Sequence, residues 1–165
     1  MNWDSPWSRP TYTPCHNGAV EISTVRNHLT RAIDAARHRN QRKRELTAEA
    51  ERGFLLFLDQ VATPVTRMVA NALKSEGHQF MAFTPGGGLR LASETRRDDY
   101  IEFALDTIAE PPQVIGRISQ TRGSRTLSDE RPVKPGAAPE AITEEDVLAF
   151  LLEALEPWLE GKGRP

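Results

Sequence analysis

The segment Leu46–Leu73, LTAEAERGFLLFLDQVATPVTRMVANAL, decides the fold. Leu46, Ala50, Phe54, Phe57, Leu58, Val61, Val65, Met68, Val69, Ala72 and Leu73 recur at steps of three and four. On a 3.6-residue period they gather on one face, which predicts the central core helix. Two residues complicate it. Gly53 costs a helix interior about 1 kcal/mol against alanine. Pro64 removes a backbone donor and crowds the preceding turn. The path should therefore kink near Thr63, or break there into a second helix with Thr63 as N-cap and Pro64 in its first turn. Gly77 supplies the stop, with Lys74 well placed in the last turn.

Downstream of that stop the period changes from 3.6 to 2. Phe80–Phe83 reads as a strand, Thr84-Pro85-Gly86-Gly87-Gly88 as a turn, and Leu89–Ala92 as the returning strand. Tyr100–Asp106 alternates, with Ile101, Phe103 and Leu105 on one face and Glu102 and Asp106 on the other. After Pro111-Pro112, Val114–Ile118 is the next strand. Arg122-Gly123-Ser124 reads as a tight turn, and Arg125–Glu130 as a short last strand. Short connections imply hairpins and hence an antiparallel meander of four to five strands. Beyond the Pro135–Pro139 linker, Thr143 reads as the N-cap of a helix, with Asp146 three residues on and an Ile142–Val147 staple. Val147, Leu148, Leu151, Leu152, Leu155, Trp158 and Leu159 form its apolar face, and Pro157 should bend or end it near Glu156. The expected class is α+β: a meander packed against a long, kinked or split N-terminal helix and a C-terminal helix, spanning residues 46–160. Residues 161–165 read as a loose tail.

Upstream, residues 20–45 read as a basic helical extension. Ile22, Val25, Leu29, Ile33 and Ala36 make one apolar stripe, followed by Arg37-His38-Arg39-Asn40-Gln41-Arg42-Lys43-Arg44. An exposed stripe of this kind calls for a partner. Self-association through Ile22, Val25, Leu29 and Ile33 as a helix pair is the simplest outcome; it would give a homodimer and double the local positive charge. Residues 1–19 carry Pro6, Pro10 and Pro14 with Trp3, Trp7 and Tyr12, and read as an irregular arm. Its tryptophans either tuck locally onto the domain or anchor a partner.

The composition narrows function. The chain has 165 residues, one cysteine, four histidines and a formal net charge of −2. An internal disulfide is impossible, a structural zinc site is disfavoured, and net charge does not mark a nucleic-acid binder. No apolar run approaches the roughly 18 to 20 residues of a bilayer span. The first 20 residues lack a secretory signal's basic start and apolar core, so a soluble, cytoplasmic protein is expected. The glycine run lies between strands with no Gly-Lys-Ser/Thr after it, which suits a hairpin turn rather than a phosphate loop. Cys15-His16 reads as a free thiol in an irregular segment, and His28, His38 and His78 do not converge. Glu102 and Asp106 stand about 13 Å apart along a strand, at roughly 3.3 Å per residue. Asp98-Asp99 is a second carboxylate pair. Arg90 and Arg117 facing Glu102 across neighbouring strands account for that residue by cross-strand pairing. No catalytic residue, metal or cofactor is expected, and an enzyme ranks third among the functional readings.

The least ordinary feature is a charge split. Residues 26–44 hold Arg26, Arg31, Arg37, Arg39, Arg42, Lys43 and Arg44 against Asp34 alone. Residues 140–160 hold Glu140, Glu144, Glu145, Asp146, Glu153, Glu156 and Glu160 with no basic residue. The basic side is a solvated surface attracted to acidic segments, a dock for an acidic protein, or a set of phosphate contacts. It has no aromatic for stacking on bases, so sequence-nonspecific RNA or DNA binding is the runner-up. A membrane helix is disfavoured, because the stripe lacks Trp and Phe. The expected function is a non-catalytic interaction or adaptor protein. Arg37, Arg39, Arg42, Lys43 and Arg44 would meet an acidic partner, with Trp3 and Trp7 as anchors.

Overall fold

A computed structural model describes residues 21–160. The described residues divide into two units, 21–40 and 41–160. The described part of the first, residues 21–40, is helical from Ile22 onward and exposed almost throughout. The second is an α+β unit.

Helix α1 spans Ile22–Phe57, a π-helical turn follows over Leu58–Ala62, and α2 spans Thr63–Ser75. The backbone stays helical through Thr63, whose N–H donates to the Leu58 carbonyl five residues back. Thr63 is therefore not an N-cap. A π-turn holds one residue more than an α-turn would, so it advances the register beyond it by about 100°. That advance corrects the expected stripe. Val65, Val69 and Leu73 are buried as expected, but Met68 and Ala72 give way to Thr66 and Ala70, and Met68 is left 60% exposed. The shift also buries the Thr66 hydroxyl, which has no hydrogen-bond partner among the described residues. At the end of α2, Gly77 adopts φ +81°. Its N–H donates to Lys74 O at 3.1 Å and the His78 N–H to Leu73 O at 2.8 Å, the paired bonds of a Schellman stop.

Five antiparallel strands follow in sequential order: β1 Phe80–Phe83, β2 Leu89–Ser93, β3 Tyr100–Asp106, β4 Gln113–Arg122 and β5 Arg125–Pro132. The last two outrun their apolar pattern. Polar Ser119–Arg122 pairs with Arg125–Ser128; Ser119 is buried, whereas its partners Arg125–Ser128 are exposed and are held by the ladder. The glycine run connects β1 to β2, as a hairpin turn does. One sheet face carries Phe80, Leu89, Leu91, Ile101, Phe103 and Val114 into the core.

A short 3-10 turn, Pro139–Ala141, leads into α3, Glu144–Glu160. The start of α3 is built as the sequence implies. The Asp146 carboxylate accepts the Thr143 N–H (2.9 Å) and hydroxyl (3.0 Å), and the Asp146 N–H donates to Thr143 Oγ1 (3.3 Å). Ile142 and Val147 flank this cap inside the core. Pro157 does not end the helix. It sits in the last turn, where only the Glu153 carbonyl loses its helical donor. The buried face of α3 is Val147, Phe150, Leu151, Ala154 and Leu155, whereas Leu148, Leu152 and Leu159 are exposed, against expectation. The sheet covers only the first strip of a helix that is apolar on two.

Phe103 is the centre of the packing. Its ring meets Phe57 of α1 edge-on at 6.2 Å and Phe150 of α3 at 5.8 Å. Phe150 lies against the sheet because Gly116 stands opposite Phe103 on β4, and a Cβ at residue 116 would overlap the Phe150 ring. Gly53 has a similar cause: the Glu140 carboxylate occupies the place of its Cβ. Among the described residues no helix is long and apolar enough to cross a membrane.

Two measurements check this account. Gly116→Val should force Phe150 outward and cost about 1–3 kcal/mol, read as a lower urea midpoint at unchanged slope; an unmoved midpoint would contradict the contact. The second concerns acid. The Lys134 ammonium, which donates to Asp146 Oδ2 at 2.8 Å, and next the Thr143 N–H, lower the Asp146 pKa from 3.8 to about 2. A carboxyl depressed on folding stabilises above its unfolded pKa and loses that contribution as pH falls through its folded one. The stability gap between the parent and Asp146→Asn should therefore be full above pH 3.8 and close as pH falls through about 2. A gap independent of pH would show that the charge contributes nothing.

Candidate functional site

The basic segment forms a regular helix because it is rich in Arg and Ala, both good helix formers. Its charges are largely uncommitted. Arg37 lies 3.6 Å from Asp34 one turn back, and Lys43 lies 3.2 Å from Glu110, all four exposed. Such surface pairs are worth about 0–1 kcal/mol and exchange readily. Among the described residues Arg39, Arg42 and Arg44 make no ion pair, and all three are exposed. The structure thus gives Lys43 a partner that the sequence did not suggest. On the same helix Ile22, Val25, Leu29 and Ile33 are 80%, 50%, 57% and 43% exposed, a stripe open to solvent. Trp3 and Trp7, like Cys15 and His16, lie outside the described residues.

Of the carboxylates considered for acid–base work, Glu102, Asp106 and Asp99 are engaged structurally, whereas Asp98 is exposed. Glu102 stands in register between Arg90 and Arg117. It takes Arg90, at 3.1 Å, while Arg117 turns to Glu130 at 2.9 Å. Asp106 accepts the backbone N–H groups of Ile108 (2.9 Å) and Ala109 (3.3 Å), closing the turn after β3. Asp99 is buried. Its Oδ1 accepts the Thr121 N–H at 2.6 Å and its Oδ2 the Trp158 indole N–H at 3.1 Å. The Trp158 ring in turn meets Phe80 edge-on at 5.8 Å. Asp99 is therefore the polar tie between the sheet and the last turn of α3, at the floor of a polar hollow of about 690 Å³. Arg96 and Arg122 border the hollow, directed to the Thr121 carbonyl and the Gln120 side chain. His28 and His38 both lie on α1. Among the described residues no group of three or more His, Cys, Asp or Glu could hold a metal ion.

A second concavity lies between α2 and α3. It is a groove of about 680 Å³. Val65, Val69, Leu73 and Leu155 form its floor, and Met68, Ala72, Leu148, Leu152 and Leu159 its walls. Glu76, Glu144 and Glu145 stand along it, His78 lies among its lining residues, and no Lys or Arg lines it. It is thus an apolar trough with an acidic margin, suited to another apolar surface that carries positive charge. It offers no paired nucleophile and base.

The sequence pointed to the basic run and the Ile22 stripe but missed the groove. One signal was available: Leu148, Leu152 and Leu159 follow one another at helical spacing beside the strip that a single sheet face can cover. The other half, Met68 and Ala72, was concealed by the π-turn. Nothing in the sequence singled out Asp99 over Asp98. No protein-family model, no curated protein and no solved structure matches the chain.

Proposed function

We propose that this is a non-catalytic interaction protein, an adaptor that docks an acidic protein partner through the basic run of α1. The observation that carries the reading is the uncommitted charge of Arg39, Arg42 and Arg44, flanked by Arg37 and Lys43 in weak surface pairs. A basic surface that only stabilised its own fold would be expected to pair with the acids the chain carries in excess. Protein is favoured over nucleic acid because no Phe, Tyr or Trp occurs between Ile22 and Gly53, leaving phosphate attraction without base stacking. The carboxylate geometry supports the non-catalytic side, since Glu102, Asp106 and Asp99 each hold structural partners. A cytoplasmic location, Trp3 and Trp7 as auxiliary anchors, and pairing between copies belong to the same reading.

The test replaces Arg39, Arg42, Lys43 and Arg44 together by Gln. Exposed substitutions of this kind should leave stability within about 0.5 kcal/mol. After nuclease treatment, protein partners recovered with the parent should be depleted at least tenfold with the variant, scored by mass spectrometry. An identical partner set would refute the proposal. Labelled single-stranded and duplex DNA provide the counter-test. Parent binding that falls steeply between about 50 and 200 mM salt, together with loss of all partners on nuclease treatment, would replace the protein partner with nucleic acid.

A further inference from the structure

We infer that the groove between α2 and α3 receives the Ile22–Ala36 stretch of α1 from a second copy of the chain. Each surface is exposed in a single copy, and each has what the other lacks. The stripe presents Ile22, Val25, Leu29 and Ile33 at helical spacing, the anchor pattern of a helix seated in a hydrophobic trough. Its length matches. Ile22 to Ala36 spans about 21 Å at 1.5 Å per residue, and the groove-lining stretch of α3, Glu144 to Leu159, about 22 Å.

Charge selects the groove over the simpler pairing of two stripes. Arg26 and Arg37 fall about 40–60° around the helix from Ile22, at the border of the stripe. An antiparallel pairing of stripe against stripe would bring Arg26 and Arg37 of one copy beside those of the other, a like-charge contact that disfavours the complex. In the groove the same arginines meet Glu76, Glu144 and Glu145, with no lining Lys or Arg to oppose them. The helix and the trough thus complement each other in greasiness, length and sign of charge, which the helix pair does not.

Two double variants test this at exposed positions, with circular dichroism confirming the fold. Leu29→Asp/Ile33→Asp spoils the stripe, and Leu148→Asp/Leu152→Asp spoils the groove. Light scattering on the full chain should give a dimer for the parent and at least tenfold weaker association for either variant alone. When the two are mixed, an intact groove and an intact stripe are again available, so a tagged copy of one should retain the other. The Gln variant of the basic run keeps stripe and groove and should pair like the parent, which separates this inference from the adaptor reading. A monomeric parent, a groove variant that pairs as tightly as the parent, or a mixture in which the tagged copy retains nothing would each overturn it.

Discussion

The contact between the Phe150 ring and the bare backbone of Gly116, beside Phe103, sets the spacing between α3 and the sheet. Residue 116 is the place on β4 where the far end of the Phe150 ring reaches the strand because no side chain intervenes. Phe103 then touches a helix on each side, Phe57 from α1 and Phe150 from α3. With these three rings fixed, the remaining core positions fall in around them: Leu89, Leu91, Ile101 and Val114 from the sheet, Val147, Leu151 and Leu155 from α3. Arg131, donating to Glu153 at 2.6 Å, and Asp99, holding Trp158, fasten the same helix at its outer side and its end. The polar ties reinforce a position that aromatic packing establishes.

A sheet with one buried face covers only part of two helices laid on it. The strip of α2 and α3 beyond its reach remains apolar, and this remainder is the groove. Leucines at 148, 152 and 159 lie outside the buried core cluster, so the core does not account for their apolar character. The acidic character of α3 has a double effect. Glu144, Glu145 and Asp146 suit the positive end of the helix, and the first two also give the trough its sign. At the opposite extreme of the chain's charge split, the basic run of α1 leaves three arginines without an ion pair among the described residues.

Much of this architecture is written in local pattern. The Tyr100–Asp106 alternation, the Thr143–Asp146 cap and the Gly77 stop each announce themselves by residue type at fixed spacing, because each is a short-range device. What escaped was set by long-range or backbone effects. Polar Ser119–Arg122 is a strand because of its neighbours: Tyr100 of β3 pairs with Ser119, Asp99 takes the Thr121 N–H, and β5 runs along the whole stretch. Leu148 and Leu152 are apolar without being core, a distinction periodicity alone cannot make. The basic helix was legible as charge, but whether its arginines were spoken for depended on the neighbours folding would bring, and Glu110 proved to be one of them. The choice between a kinked and a split helix at Thr63 had a third answer, a wider turn, for which sequence carries no simple mark.

That wider turn has a consequence for the surface. The surplus amino acid between Leu58 and Ala62 swings the thioether of Met68 out of the interior and leaves it on the trough wall. A chain shorter by one residue there would draw Met68 and Ala72 inward, release Thr66 to water, and narrow the hollow from within. The cleft between the two helices is thus inherited from a miscount in the winding upstream of it, and an insertion or deletion in those five residues would remodel it more than most exchanges along its walls.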